Sequence, residues 1–264
     1  MEIKVTKANG TGNNFVIIYD DKNHHLIKNP NFIKKICDKK IGFNTDGLLL
    51  LSSHQNYDYK MDYFNNDGTW ETMCANGARC AALFMFNKKL VNNRISFLAG
   101  DGVHKIQIKN QDNITLSMIK PSFKSNQIYS NGYKGQYVDS GAKHFATIVN
   151  KIKPTDVIKD GKKIRNDQIF PDGINVNFMK IINRKHIQVM TYEKGIENMV
   201  LSCGSGSVAS AYYAYHKKLI ESPLKISVPG GILKLIFNAT WDEVWLTGPA
   251  RLSPETKWNY KEKK

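Results

Sequence analysis

The feature that most constrains this chain is an internal repeat whose two copies keep a constant offset of 129 residues. The stretch "CANGARCAA" at 74–82 aligns with "CGSGSVASA" at 203–211, so Cys74 and Cys203 each open a segment of the same design. Segments elsewhere in the chain follow the same offset without a gap. Their matched residues are Gly12 with Gly141, Tyr63 with Tyr192, Gly102 with Gly231 and Lys105 with Lys234.

Two copies of one plan predict a protein of two similar lobes with pseudo-twofold symmetry. Ligand clefts are favoured between such lobes, so we expect the site there. The 264 residues are enough to give the chain an ample core. We expect an N-terminal lobe over 1–120 and a C-terminal lobe over 121–249, each with one of the two cysteines, and a boundary within 118–127. The C-terminal tail, 250–264, is allowed to return to the first lobe.

The local patterns indicate an α/β (α+β) fold. Short runs rich in β-branched and aromatic residues, such as "FVIIYD" and "KHIQVMTYE", predict strands between turn signals. Apolar residues at helical spacing predict helices in "NPNFIKKICDKK", "NGARCAALFMFNKKL" and "GSVASAYYAYHKKL". Because short turns join most strands, we expect each lobe to be a mixed or antiparallel sheet around a central helix.

The charge pattern argues against a nucleic-acid-binding protein. The net charge is +15, from 38 basic and 23 acidic residues, and such an excess is typical of some nucleic-acid binders. The lysines are scattered and are not interleaved with aromatic residues, so we expect no nucleic-acid partner. We see no run of about eighteen apolar residues and no apolar core of a signal peptide in "MEIKVTKANG". We therefore expect a cytoplasmic protein without a membrane partner.

The four cysteines show no pattern of a metal site or of a disulfide framework. No CxxC pair or Cys/His cluster with metal-ligand spacing is present, so we expect no metal ion. In a reducing cytosol the thiols are expected to be free. Cys37 and Cys80 fall within predicted helices and are interpreted as packing residues. Cys74 and Cys203 differ because each lies at the start of a helix.

A thiol at a helix start has a chemical use. A helix N-terminus presents N–H groups without helical partners and about half a positive charge. A thiol placed there has its pKa lowered from the reference value of about 8.5, and the same N–H groups bind carboxylates. Two such helix starts facing each other would hold one carboxylate with a thiol on each side.

This arrangement suits inversion at the α-carbon of an amino acid. One thiolate removes the α-proton from one face, and the other thiol returns a proton to the opposite face. The helix N-termini stabilise the negative charge that spreads onto the carboxylate. We expect no cofactor, because the chain has no P-loop and "GTGNNF" lacks the spacing of a dinucleotide-binding fingerprint.

The chain resembles the diaminopimelate epimerase family over nearly its whole length. The resemblance is carried in order by "GTGNNFVIIYD", "FNNDGTWETMCANGARC", "GINVNF", "YEKGIENMVLSCGSGSVA", "VPGG" and "VWLTGPA". It implies a cofactor-independent epimerase that converts LL- to meso-diaminopimelate for lysine and peptidoglycan synthesis. It also implies two α/β lobes of common ancestry and a homodimer.

The resemblance also implies roles for individual residues. Cys74 and Cys203 match the acid/base pair, and His144 and Glu193 match the residues that assist the thiols. Further positions match substrate contacts, namely Asn13, Gly47, Asn65, Ala75, Asn76, Asn175, Lys194, Gly204 and Ser205.

The chain departs from the family at positions expected to hold the distal end of the substrate. Ala142 and Lys143 replace an Asn or Ser followed by Pro, and Lys194 replaces an Arg. Arg to Lys exchanges a bidentate fork for a point charge. A racemase of the same fold for another amino acid, such as histidine or lysine, therefore stays an alternative. A basic binding protein with a retired active site is a third alternative, which the survival of both cysteines argues against.

Overall fold

The computed structural model describes residues 2–20 and 27–260, and it divides the chain into two compact units. The first unit comprises Met1–Leu116 and Gly248–Lys264, and the second comprises Ser117–Thr247. The last four residues of the tail that we allowed to return, 261–264, lie outside the described residues.

The first unit is a mixed sheet with two named helices. The helices are α1 (Pro30–Cys37) and α2 (Ala75–Asn87). The strands are β1 (Glu2–Gly10), β2 (Asn13–Tyr19), β3 (Gly47–Ser52), β4 (Tyr59–Asn65), β5 (Trp70–Glu71), β6 (Arg94–Ala99), β7 (Gly102–Asn110) and β8 (Asn113–Ser117).

Strand pairing in the first unit runs from β1 through β2, β3, β4, β6 and β7 to β8, and β5 pairs with β4. The pairs β2–β3 and β4–β6 are parallel and the others antiparallel. A parallel pair needs a crossover, and α1 and α2 lie in these two connections.

The second unit repeats this order. Its helices are α3 (Pro154–Arg165) and α4 (Gly204–His216). Its strands are β9 (Ser122–Ser130), β10 (Tyr133–Asp139), β11 (Lys143–Ile148), β12 (Asn175–Asn183), β13 (His186–Glu193), β14 (Asn198–Val200), β15 (Leu224–Val228), β16 (Gly231–Phe237) and β17 (Val244–Gly248). The parallel pairs are β11–β12 and β13–β15, with α3 and α4 in their connections.

The C-terminal segment adds two short strands to the first unit. They are β18 (Arg251–Leu252) and β19 (Thr256–Asn259), and both pair antiparallel with β1. The described part of the expected returning tail thus lies in the first unit.

The sequence repeat is also a repeat of backbone conformation. Helix α4 begins and ends 129 residues after α2. The left-handed residues that follow these helices, Lys89 at φ 59° and Lys218 at φ 60°, keep the offset, as do Gly12 at φ 95° and Gly141 at φ 96°. The predicted α/β class, with two similar lobes of mixed sheet around a helix, is confirmed.

The two central helices, α2 and α4, are buried on almost every side. Eleven consecutive residues of α2, Ala75–Met85, are buried, as expected for a helix enclosed by a sheet. Among the described residues, no helix is both long and apolar enough to cross a membrane.

Each central helix approaches its sheet at a glycine. A Cβ on Gly77 would lie 2.8 Å from a methyl group of Leu49, and one on Gly206 would lie 2.3 Å from Oδ1 of Asn177. Both distances are below van der Waals contact. A side chain at this shared glycine would therefore have to displace Leu49 in one copy and Asn177 in the other.

Candidate active-site residues

Cys74 occupies the N-cap of α2. Its backbone is extended, with φ −131° and ψ 115°, and its carbonyl accepts from the N–H of Ala78 at 2.8 Å. The side chain is half-buried, and Ala75 and Asn76 begin the helix behind it. The first N–H groups of the helix follow Cys74 directly in the chain, and its side chain makes no capping hydrogen bond to them.

A chain of hydrogen bonds fixes the amides around this helix start. Asn76 donates through Nδ2 to Oδ1 of Asn13 at 2.6 Å, and Nδ2 of Asn13 donates to Oδ2 of Asp46 at 3.3 Å. The same carboxylate oxygen accepts from the backbone N–H of Asn14 at 2.8 Å. The structure thus brings together two of the predicted substrate contacts, Asn13 and Asn76.

Arg79 is a functional candidate that our sequence reasoning missed. Its side chain is fully buried, and it donates to the Asn76 Oδ1 at 2.6 Å, the Thr11 Oγ1 at 2.7 Å and the Ala75 carbonyl at 3.2 Å. Burial lowers the pKa of its guanidinium to about 10, so it stays cationic at neutral pH, and a thiolate at Cys74 favours that charge. The signal in the sequence was a single Arg in an otherwise uncharged helix.

The other predicted contacts of the first unit lie at one end of β3 and β4. Gly47 pairs with Asn65 across these strands, and a Cβ on Gly47 would lie 2.4 Å from the Phe64 carbonyl. The Asn65 amide accepts from the Tyr63 hydroxyl at 2.7 Å and donates to Glu71 at 3.3 Å. Gly47 is thus required by packing, and Asn65 is held by its neighbours.

Cys203 occupies the N-cap of α4 in nearly the same conformation as Cys74, with φ −129° and ψ 113°. Its sulfur accepts from the backbone N–H of Gly206 at 3.4 Å and lies 3.5 Å from Oγ of Ser205. Both groups can stabilise a thiolate, because both can donate a hydrogen bond to it.

His144 joins this cluster through both ring nitrogens. Nε2 lies 3.0 Å from Oγ of Ser205, and Nδ1 lies 3.0 Å from Nδ2 of Asn177. The ring is fully buried, and this desolvation lowers the pKa of His144 to about 3. His144 is therefore a neutral imidazole at physiological pH.

The remaining predicted residues of the second unit lie near the ends of β12 and β13. Glu193 ends β13 and is half-buried. Asn175 accepts from the backbone N–H of Lys194 at 2.9 Å and donates to the Lys143 carbonyl at 3.1 Å. The Lys143 ammonium lies 3.0 Å from the Asp172 carboxylate, and both side chains are exposed.

All four cysteines lie within the described residues and are thiols rather than disulfides. Burial raises the pKa of Cys37 to about 11 and that of Cys80 to about 12, so these two thiols stay protonated. Within the described ranges, no three His, Cys, Asp or Glu side chains are grouped to hold a metal ion.

The sequence is similar to proteins named diaminopimelate epimerase. A family model described as diaminopimelate epimerase matches residues 5–124 and 136–253. The chain is 32% identical to the diaminopimelate epimerase of Chlorobaculum tepidum over 247 residues, which cover 92% of this chain and 96% of that protein. It is 33% identical to the diaminopimelate epimerase of Flavobacterium psychrophilum, with 96% and 99% covered.

Solved structures share the fold at much lower identity. A hydroxyproline epimerase from Agrobacterium vitis with bound trans-4-hydroxy-L-proline matches with a TM-score of 0.76 and 13% identity, over 97% of this chain and 91% of that one. A phenazine biosynthesis protein of the PhzF family from Enterococcus faecalis matches with a TM-score of 0.73 and 14% identity, over 98% and 100%. These structures share the fold alone, whereas the family model and relatives above 30% identity match the sequence itself: the chain belongs to the diaminopimelate epimerase family.

Proposed function

We propose that this protein is a diaminopimelate epimerase that inverts an α-carbon with two thiols and no cofactor. The observation that carries the proposal is the matched pair of helix N-caps, Cys74 and Cys203, in the same backbone conformation. The membership in the family supports diaminopimelate as the substrate. The proposal requires both cysteines to reach one α-carbon.

The reaction needs one thiolate and one thiol at the start of each turnover. The thiolate takes the α-proton, and the electron pair of the broken C–H bond stays on the α-carbon and spreads onto the carboxylate. The second thiol then gives its proton to the opposite face and becomes the thiolate. The two cysteines exchange roles, so the reverse reaction starts from the product state.

Charge and hydrogen-bond donors around both cysteines favour these anions. The N–H groups at the starts of α2 and α4, beside Ala75–Asn76 and Gly204–Ser205, are suited to bind the reacting carboxylate. The buried Arg79 adds a positive charge near Cys74. His144 is neutral, so its role is to donate a hydrogen bond rather than to store a proton.

The distal end of the substrate decides between diaminopimelate and another amino acid. Lys194 is exposed and supplies a positive charge, and its backbone is held by Asn175. Lys143 is paired with Asp172, which offsets its charge. Ala142 offers no side-chain hydrogen bond to the distal end of the substrate. A racemase of histidine or lysine is therefore the alternative that the assay must distinguish from a diaminopimelate epimerase.

The experiment is a panel of single enantiomers incubated with the purified protein and read by chiral chromatography. LL-diaminopimelate should give the meso isomer faster than L-lysine or L-histidine gives its enantiomer. A faster reaction with L-lysine or L-histidine would replace the proposed substrate and leave the chemistry in place. If none of these compounds exchanges its α-proton with deuterated water, the result would instead indicate a binding protein.

The resemblance also supports a homodimer in the cytoplasm. Light scattering on the purified protein and fractionation of the native cells test these two points. A monomer at micromolar concentration would contradict the first.

A further inference from the structure

The second unit contains a buried amide that the proposed reaction does not use. Asn177 lies in β12 and is fully buried. Its Oδ1 accepts from the Thr191 hydroxyl at 2.8 Å, and its Nδ2 donates to Nδ1 of His144 at 3.0 Å and to the Phe145 carbonyl at 3.4 Å. The Phe145 carbonyl can only accept a hydrogen bond, so the atom of the Asn177 amide beside it is the NH2 nitrogen. The same nitrogen faces Nδ1 of the imidazole.

This orientation decides which nitrogen of His144 carries the proton. Nδ1 receives a hydrogen bond from Asn177 and must therefore offer its lone pair. In a neutral imidazole the proton then resides on Nε2, where it is donated to Oγ of Ser205 at 3.0 Å. The Ser205 oxygen accepts that bond, so its own proton is free to point to the Cys203 sulfur, 3.5 Å away.

We propose that Asn177 is a positioning residue that holds His144 as the Nε2–H tautomer, so that the Ser205 hydroxyl donates its hydrogen bond to the Cys203 thiolate. No proton is transferred along this chain. The Cys203 thiolate that forms in each turnover is stabilised by the Ser205 hydroxyl, and Asn177 sets the direction of that hydroxyl through His144. The catalytic role of the Cys203 thiolate rests on the proposed function, but the measurements that test this inference do not.

The opposite tautomer would reverse every bond in the chain. A proton on Nδ1 leaves Nε2 as an acceptor, which draws the Ser205 proton toward His144. The Ser205 lone pairs would then face the sulfur and disfavour the thiolate. Asn177→Asp reverses the first bond of this chain, because a carboxylate can only accept and Nδ1 must then carry a proton; aspartate also occupies nearly the same volume as asparagine.

The first measurement is the protonation of the His144 ring by nitrogen NMR on protein with labelled histidine, at pH about 8, where burial favours the neutral ring. The resonance is assigned with His144→Gln. We expect the proton on Nε2 in the wild type and on Nδ1 in Asn177→Asp. A wild-type ring protonated on Nδ1 would overturn the proposal.

The second measurement is the rate of alkylation by iodoacetamide at each cysteine, read by peptide mass spectrometry. Asn177→Asp should slow Cys203 about three- to fivefold, since the loss of thiolate is partly offset by higher nucleophilicity. Cys74 in the same molecule serves as the internal reference and should react at its wild-type rate. An unchanged rate at Cys203 would overturn the proposal.

Two further variants complete the design. Asn183→Asp places the same charge at the exposed end of β12, where an oxygen already accepts from the Lys185 N–H, and should leave both rates unchanged. Ser205→Ala removes the hydroxyl that donates to the Cys203 sulfur and should slow Cys203 by a similar factor. If Asn177→Asp fails to fold, a wild-type rate in Ser205→Ala still overturns the proposal. None of these measurements uses a substrate, so a wrong substrate assignment does not affect them.

Discussion

At the scale of single residues, burial sets the protonation state of His144 and of the two packing thiols, Cys37 and Cys80. His144 is enclosed, and burial lowers its pKa to about 3. Burial acts in the opposite direction on the two packing thiols and raises the pKa of Cys80 to about 12. Cys74 and Cys203 are only half-buried and lie at helix N-termini. Position rather than residue type separates the two thiols that we propose to be reactive from the two packing thiols, which stay protonated.

The buried neutral His144 should make the fold sensitive to acid. Its pKa in the unfolded chain is about 6.5, and in the folded protein about 3. Between these values only the unfolded chain binds the proton. His144 therefore has little effect on the free energy of unfolding above about pH 6.5, and it lowers this free energy progressively as the pH decreases below that value. From pH 7 to pH 5 the wild type should lose about 2 kcal/mol more than His144→Gln. Urea unfolding at both pH values measures this, and parallel losses would contradict a neutral His144.

The Arg79 guanidinium should be hard to replace even with another cation. Lysine has one ammonium group and cannot reach the acceptors on Thr11, Asn76 and Ala75 together. Acceptors left unsatisfied in the interior should make Arg79→Lys about 2–4 kcal/mol less stable in urea unfolding. The matched control is Arg184→Lys, on an exposed side chain, which should change stability by less than about 0.5 kcal/mol. Equal stability of the two variants would show that the Arg79 network is not needed.

At the scale of elements, helix α3 shows how tertiary contact overrides a local signal. The sequence contains helix signals over Pro154–Arg165, with Pro154 at the first turn, Asp156 near the start and basic residues in the last turn. We did not predict this helix, and a glycine, Gly161, lies in its middle. The reason for the glycine is that a Cβ there would lie 2.5 Å from Cβ of Tyr192 in β13.

Gly161→Ala should therefore destabilise the protein although alanine is the better helix former. The overlap with Tyr192 should cost about 1–3 kcal/mol, against a helix-propensity gain of about 1 kcal/mol. Lys159→Ala, on the exposed face of the same helix, should be nearly neutral. Urea unfolding of both variants gives the comparison, and a stabilised Gly161→Ala would mean that α3 shifts without cost.

At the scale of the whole molecule, the proposed reaction makes the two halves of the repeat depend on each other. Cys74→Ala and Cys203→Ala should each reduce the rate of inversion by about 10²–10⁴-fold, because each removes one proton carrier. The remaining thiol should still exchange the α-proton on its own face with deuterated water. Cys37→Ala is the control and should keep kcat, since Cys37 is a buried packing residue of α1. Wild-type inversion in both single variants would rule out the two-thiol mechanism.

The substrate assignment makes a separate prediction at Lys194. If diaminopimelate is the substrate, Lys194→Arg restores a bidentate donor and should keep or lower KM with kcat little changed. If a smaller amino acid is the substrate, the longer side chain should intrude and raise KM. Kinetics on the panel of amino acids separate these outcomes. Identical kinetics of the variant and the wild type on every compound would show that Lys194 does not contact the substrate.

The sequence was sufficient for those features that local chemistry encodes. The constant offset predicted two copies of one fold, and the structure repeats helix ends and left-handed residues at that offset. The N-cap positions of Cys74 and Cys203 followed from small residues before an apolar run. The family followed from motifs in a fixed order, because such motifs are contiguous in the chain. Strand β9 was missed, as it occupies much of the segment in which we placed the lobe boundary.

The partners of buried polar groups were decided only by tertiary structure. Arg79 meets Thr11 across 68 positions of sequence, and Asn177 meets His144 across 33. No local pattern specifies such pairs, because each depends on which strand lies beside which helix. The physical reason is that a polar group removed from water must find a partner wherever the fold places one. The local pattern of the chain located the two thiols, but only the packing determined that Thr11 joins the Arg79 network and that Asn177 joins His144.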